Sequence, residues 1–208
     1  MKTSEKFVIN VGRQLGSGGR HIGERLARAF NIKFYDKELL ELAAQESGFC
    51  KKFFERTDEE HDLFKQLIGT FPFLNSGINP YDNMLSSESL FKIQSDAIRK
   101  VASEQSCVFV GRCADYILRD NPRCVNIFIS ADLNDRIKRI CQLTGITEPE
   151  AKKRIAEGDK RRAAYYNYYS AGEWGKASSY HLCINSSVLG LERTTEYIQE
   201  FVTKKLML

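Results

Sequence analysis

Five short runs of apolar, largely β-branched residues punctuate the chain: residues 7–11, 32–35, 107–110, 125–129 and 182–185. Little polar alternation interrupts them, which predicts strands covered on both faces, as in a parallel sheet. Between them apolar residues recur at helical spacing. Ile22, Leu26 and Ala29/Phe30 mark one helix; Leu39, Leu40, Ala43 and Ala44, stopped by Gly48, mark another. Leu63, Phe64, Leu67 and Ile68 lie on one side of a helix over residues 51–68. Leu90, Phe91, Ala97, Ile98, Val101 and Ala102 predict a helix from residue 87 to about 104. Ile137, Ile140 and Cys141 follow Asp132 as cap, and Thr147-Glu148-Pro149-Glu150 is a capping box with an early proline. A closing helix spans 191–202. Strand and helix in alternation specify a three-layer α/β fold, a five-stranded parallel sheet flanked by helices, with right-handed crossovers. Residues 69–87 break the pattern with Phe71-Pro72-Phe73, Gly77 and Asn79-Pro80-Tyr81, too long a stretch for an inert connection.

At 208 residues the chain fits one domain with a substantial core. A net charge of +4 suits a small anionic ligand and disfavours an extended nucleic-acid surface. The six cysteines form no C-x-x-C pair and the three histidines lack metal-site spacing, so we expect reduced thiols and a cytoplasmic protein, and assign no metal ligand. No signal peptide or membrane-length apolar run is present, so no membrane partner is expected. Nothing in the pattern specifies an oligomeric state.

The chemistry concentrates at two places. Gly12-Arg13-Gln14-Leu15-Gly16-Ser17-Gly18-Gly19-Arg20 joins the first strand to the first helix. Such a turn offers bare backbone N–H groups and a helix N-terminus to a phosphate, and Arg13 and Arg20 bracket it with permanent cations. Against the P-loop pattern G-x-x-x-x-G-K-[ST], Arg13 stands at the first glycine, Gly19 at the lysine and Arg20 at the Ser/Thr. The alternative is a glycine-rich turn that binds nothing. Asp36, ending the second strand, reads equally as an N-cap and as a carboxylate facing a crevice ligand. The second place is Asp159-Lys160-Arg161-Arg162 followed by Tyr165, Tyr166, Tyr168, Tyr169 and Trp174. A solvated basic face, a single-stranded nucleic-acid surface and a flap closing over a phosphoryl group all fit this composition; the small net charge favours the flap.

With these pieces the sequence resembles the cytidylate kinase-like branch of the P-loop nucleoside monophosphate kinases. The resemblance rests on the 13–20 loop, Phe34-Tyr35-Asp36-Lys37-Glu38-Leu39, Val110-Gly111-Arg112-Cys113-Ala114-Asp115-Tyr116-Ile117-Leu118, Asp159-Lys160-Arg161-Arg162-Ala163-Ala164-Tyr165-Tyr166 and Cys183-Ile184-Asn185-Ser186-Ser187. It implies a single P-loop kinase-like domain with a helical acceptor-binding insertion over about 50–95 and a lid over about 155–178. It also implies ATP and Mg²⁺ as phosphoryl donor, and CMP, dCMP or another small acceptor. Gly16, Ser17, Gly18 and Gly19 would then cradle donor phosphates, with Asp159 and Arg161 near them. Asp36, Arg112 and Asp115 would meet the acceptor, and Arg13, Arg20 and Arg162 would carry the charge of transfer. The sequence departs from the pattern at Gly19, Arg20, Val110, Cys113 and Leu42. A nucleotide- or phosphate-binding protein that has lost transfer is the alternative.

Overall fold

The computed structural model describes residues 5–36 and 87–208. The helix expected after Asp36, the helix over 51–68, the irregular 69–87 stretch and most of the expected insertion lie outside the described residues.

The strands are β1 (Val8–Arg13), β2 (Lys33–Tyr35), β3 (Cys107–Val110), β4 (Cys124–Ser130) and β5 (Leu182–Asn185). They form one parallel sheet in the order β2-β3-β1-β4-β5, so β1 is central. The helices are α1 (Gly19–Ala29), α2 (Ser87–Glu104), α3 (Ala114–Ile117), α4 (Leu133–Thr144), α5 (Glu148–Tyr169) and α6 (Ser186–Leu206).

Period-two side-chain alternation divides the strands between two cores. Ile9, Val11, Val108, Val110, Ile127 and Ile129 pack with Ile22 and Leu26 of α1 and Ile198 and Val202 of α6. Val8, Cys107, Phe109 and Cys124 pack with Ala97, Ile98 and Val101 of α2 and Ala114 and Ile117 of α3. Each fully buried Ile, Leu or Phe contributes about 1.5–3 kcal/mol, so the sheet is held from both faces. A third, smaller cluster of Ile140, Ala151 and Ile155 joins α4 to α5 and takes in Leu15 from the loop.

Several boundaries differ from the sequence pattern, those of the first strand and the last helix the most. The first strand begins one residue later, and it does not stop where the apolar run ends at Val11. Gly12 and Arg13 continue in register opposite Phe128 and Ile129, because the longer β4 supplies partners. The last helix begins directly after β5 but is broken at Gly190 (φ 73°, ψ 168°), so the regular part starts at Leu191 as the spacing predicts. The capping box forms: Thr147 N–H donates to Glu150 Oε2 at 2.9 Å, and α5 starts there.

Candidate phosphate site

The glycine loop leaves the C-terminal end of the central strand and opens α1, the place where open α/β sheets hold ligands. Gly16 and Gly18 have φ near +80°, a conformation costly for other residues. Protein packing adds a second reason for the glycines. A β-carbon at 16 would fall 2.9 Å from the Arg136 carbonyl oxygen, and one at 19 would fall 2.5 Å from Arg13 Cβ. One at 18 would collide with Leu191. The missing side chains, read from sequence as room for phosphate, are therefore also room for neighbouring protein.

The loop is braced from three sides. Buried Ser17 donates its hydroxyl to Gln14 O at 2.9 Å, and its carbonyl accepts Ser186 Oγ at 2.7 Å. Gln14 N–H donates to Ile129 O, while Gln14 Oε1 accepts Ala131 N–H at 3.2 Å. From α4, Arg136 Nε donates to Leu15 O at 2.8 Å and Arg139 donates to Gly16 O. From α5, Asp159 Oδ1 accepts Leu15 N–H at 2.7 Å and Asp159 Oδ2 accepts Arg136. Gly158 permits this approach, since a β-carbon there would lie 2.7 Å from Leu15 Cδ2. Among the described residues, the N–H groups of Gly16, Gly18 and Gly19 have no protein acceptor. The loop's carbonyls are thus tied back while donors at a helix N-terminus are left over, an arrangement suited to an anion.

Three cations gather beside those donors. Arg13 is held well below the ordinary arginine range by burial, then by the charges of Arg162 and Arg112; Asp36 pulls it back up. Arg162 is likewise lowered, first by burial and then by Arg112, Arg136 and Arg161, against the raising effect of Asp159. Its Nη1 reaches Arg13 O at 3.5 Å. Arg112 lies 5.9 Å from the centre of the Tyr165 ring, and its carbonyl accepts Gln94 Nε2 at 3.2 Å. Gly111, Arg112 and Cys113 carry φ of 81°, 65° and 54° in succession, a left-handed turn between β3 and α3. For the two non-glycine residues such backbone costs of order 1 kcal/mol or more each. Strain at this level persists where packing over-determines it, here with Cys113 and Ala114 buried.

The remaining sequence candidates are placed elsewhere. Arg20 points to the β2 side: its Nε and Nη2 meet Asp36 Oδ2 at 2.9 and 2.8 Å, and Nη1 meets Glu24 at 2.7 Å. Asp159, expected near the donor phosphates, commits both oxygens to Leu15 and Arg136, and acts on Arg162 through charge alone. Arg161 lies outside, 41 % exposed and 4.0 Å from Glu157. Lys176 pairs with Glu173 at 2.9 Å on the surface. Asp115 is bonded to Tyr166 Oη at 2.6 Å, and its carboxyl is raised, chiefly by burial. Tyr165 is pushed up to about 12, again mostly by burial.

The aromatic segment expected as a lid packs against the sheet and α2. Tyr169 stacks on Phe91 of α2 at 4.1 Å, and Gln94 Nε2 donates to Tyr165 Oη at 3.1 Å. Trp174 and Tyr180 pack against Phe128 of β4 at 5.2 and 5.0 Å.

Arg136 and Arg139 escaped the sequence reading. Arg136 shares a helix face with Ile140 and is only 6 % exposed, so a charge on an apolar stripe was the available signal.

A central strand running into a braced glycine loop, in a doubly covered parallel sheet, defines a P-loop kinase fold. The chain belongs to the cytidylate kinase-like family, which it matches over residues 8–188. It is 25 % identical to a cytidylate kinase from Pyrococcus horikoshii over 185 residues, 88 % of this chain and 81 % of that one. Among solved structures, an uncharacterized protein from Eubacterium ventriosum is 28 % identical with a TM-score of 0.73, covering 95 % of this chain and 98 % of the other. A gluconokinase from Sinorhizobium meliloti shares the fold at 12 % identity and a TM-score of 0.56, with 96 % and 94 % covered. No helix among the described residues is long and apolar enough to cross a membrane.

Proposed function

We propose that this protein is an ATP-dependent phosphotransferase that moves the γ-phosphoryl group to a small acceptor, a CMP- or dCMP-like nucleoside monophosphate in the first instance. The observation that carries this reading is the gathering of Arg13, Arg112 and Arg162 beside the unpaired N–H groups of the loop. Three guanidinium groups crowd one another at the end of a central strand without a carboxylate bonded to Arg13 or Arg112 among the described residues. Their mutual repulsion is relieved when a polyanion enters, and phosphoryl transfer is mainly positioning and charge neutralisation. Family membership and the name of the Pyrococcus relative support the same reading.

The chain's own residues divide the work. The N–H groups of residues 16, 18 and 19 bind donor phosphate oxygens, while Arg136, Arg139 and Asp159 hold the loop in shape. Arg112 grips the acceptor phosphate, and Arg162 brings α5's charge to the group in flight. Asp36, ion-paired with Arg20, lies at the acceptor side of the sheet edge. ATP's phosphates fit this donor set. Among the described residues no cluster of three potential ligands offers Mg²⁺ a protein cage, and Arg20 stands where the hydroxyl of the pattern would. An ion arriving with the nucleotide would keep phosphate and water ligands.

One observation favours a second reading, a nucleotide- or phosphate-binding protein without transfer. The lysine position is glycine, and Arg20, next in the loop, is directed to Asp36 and Glu24. ADP release is measured with CMP, dCMP, other nucleoside monophosphates and small hydroxylated acceptors, alongside calorimetric binding of a non-hydrolysable ATP analogue. Transfer to any acceptor establishes the first reading. Binding without transfer supports the second, and absence of binding removes both.

A further inference from the structure

We infer that Arg13 is this loop's phosphate-gripping cation, and that the glycine and the cation of the P-loop pattern have exchanged places in this chain. The inference rests on the reading that the loop holds nucleotide phosphates, and goes beyond it by naming the residue that replaces the absent lysine.

The two departures from the pattern, Arg13 for glycine and Gly19 for lysine, are one structural event. The stem of Arg13 crosses directly over residue 19, where a β-carbon would lie 2.5 Å from Arg13 Cβ and 3.0 Å from Cγ. No side chain, lysine included, fits at 19 while Arg13 takes this path. The stem continues to Gly111, whose absent β-carbon would otherwise strike the guanidinium, 3.1 Å from its central carbon. The cation is thereby delivered from the end of β1 to the neighbourhood of Arg112 and Arg162, between the loop and the turn after β3. Two glycines far apart in sequence, 19 and 111, clear the way for one arginine.

Arg20 lacks this geometry. Its guanidinium donors are directed to Asp36 and Glu24 on the β2 side. Arg13, in contrast, bonds no carboxylate among the described residues, and its desolvated charge is offset only in part, by the field of Asp36, until an anion arrives. A guanidinium also offers two parallel donors where an ammonium offers a point charge, so the ligand it fits is a terminal or bridging pair of phosphate oxygens in an oligophosphate.

The test uses inorganic tripolyphosphate and a non-hydrolysable ATP analogue as probes, with affinity read by calorimetry and folding by thermal unfolding. Arg13→Ala, and Arg13→Met which keeps the packed stem without the charge, should each weaken both probes by roughly tenfold to a hundredfold, the range for a lost charge-assisted contact. Gly19→Lys alone should lower the melting temperature and the affinity together. Adding Arg13→Gly to Gly19→Lys should restore both, with affinity back to within about threefold of the parent. Unchanged affinity in both Arg13 variants overturns the inference. So does a larger loss from Arg20→Ala than from Arg13→Ala, or a double variant no better than Gly19→Lys. If the parent binds both probes but transfers to no acceptor, the kinase reading fails while the exchange stands. If the parent binds neither probe, both fall.

Discussion

Asp159 is the joint at which the loop, α4 and α5 meet, and its removal has a calculable consequence. Its side chain is 17 % exposed and that of its partner Arg136 is 7 % exposed, so the pair is close to buried. Removing one partner from a buried pair costs about 3–5 kcal/mol, because the other charge is left uncompensated. Arg136 keeps its bond to Leu15 O at 2.8 Å, and the acid is not fully enclosed, which lowers the expectation for Asp159→Ala to about 2–4 kcal/mol. In a domain of this size each kcal/mol moves the melting temperature by about 2–4 °C, so calorimetry should show a fall of about 4–16 °C. Tripolyphosphate affinity should fall with it, since Leu15 N–H loses its acceptor and the loop its brace. Asp159→Asn, which keeps an acceptor but not the charge, should lie between parent and Asp159→Ala. The double variant Asp159→Leu/Arg136→Met removes both charges and should recover part of the loss. A melting shift below about 2 °C for Asp159→Ala, or strictly additive losses in the double variant, would refute this account.

Arg162→Ala should lower turnover by roughly a hundredfold, as loss of a preorganised charge does, whereas exposed Arg161→Ala should cost only a few-fold; equal losses in single-turnover assays would sink the division between them. Asp115 tests the pH behaviour: its folded-state pKa is raised by burial, so the unfolded chain ionises first and stability is lost as pH rises from the ordinary carboxylate value through the raised one. Asp115→Asn, which still offers Tyr166 an acceptor, should therefore gain on the parent as pH rises from about 4 and then plateau, measured as the difference in urea midpoints. A difference that shrinks with rising pH would reverse the sign and discard the assignment.

The fold was legible because the three inner strands, β3, β1 and β4, are largely buried on both faces. Such strands show as continuous apolar runs, and the α2 limits and the α5 start follow from periodicity and the capping box. The strand's continuation through Gly12 and Arg13 was not legible, because it depends on the length of β4 more than a hundred residues away. At the site, the loop and Arg162 announced themselves by composition. The role of Asp159 did not: an acid three residues before an arginine suggests a local pair, and only the packing of α5 over the loop redirects it to Leu15 and Arg136. Arg112 was marked by its place after a strand, but nothing local reveals that it and Cys113 adopt left-handed backbone. That follows from the tight connection into α3.

The strand order has a consequence for how the chain is made. β1 is made before the strands it pairs with, β3 and β4, which set Val8 opposite Cys107 and Cys124. Those partners lie 99 and 116 residues downstream, taking the differences of the paired positions. At about 5–20 residues per second, the central strand waits roughly 5–25 seconds for its neighbours. During that interval an apolar, β-prone segment has its hydrogen-bonding edges unpaired, and chain-closure entropy must be met before any strand pairing rewards it. The glycine loop at the end of that strand cannot take its final shape earlier, because its braces come from residues 129, 131, 136, 139, 159 and 186. Assembly of the phosphate site therefore waits until residue 186 has been made, and truncated chains that end before α5 should be recognised by chaperones as incomplete.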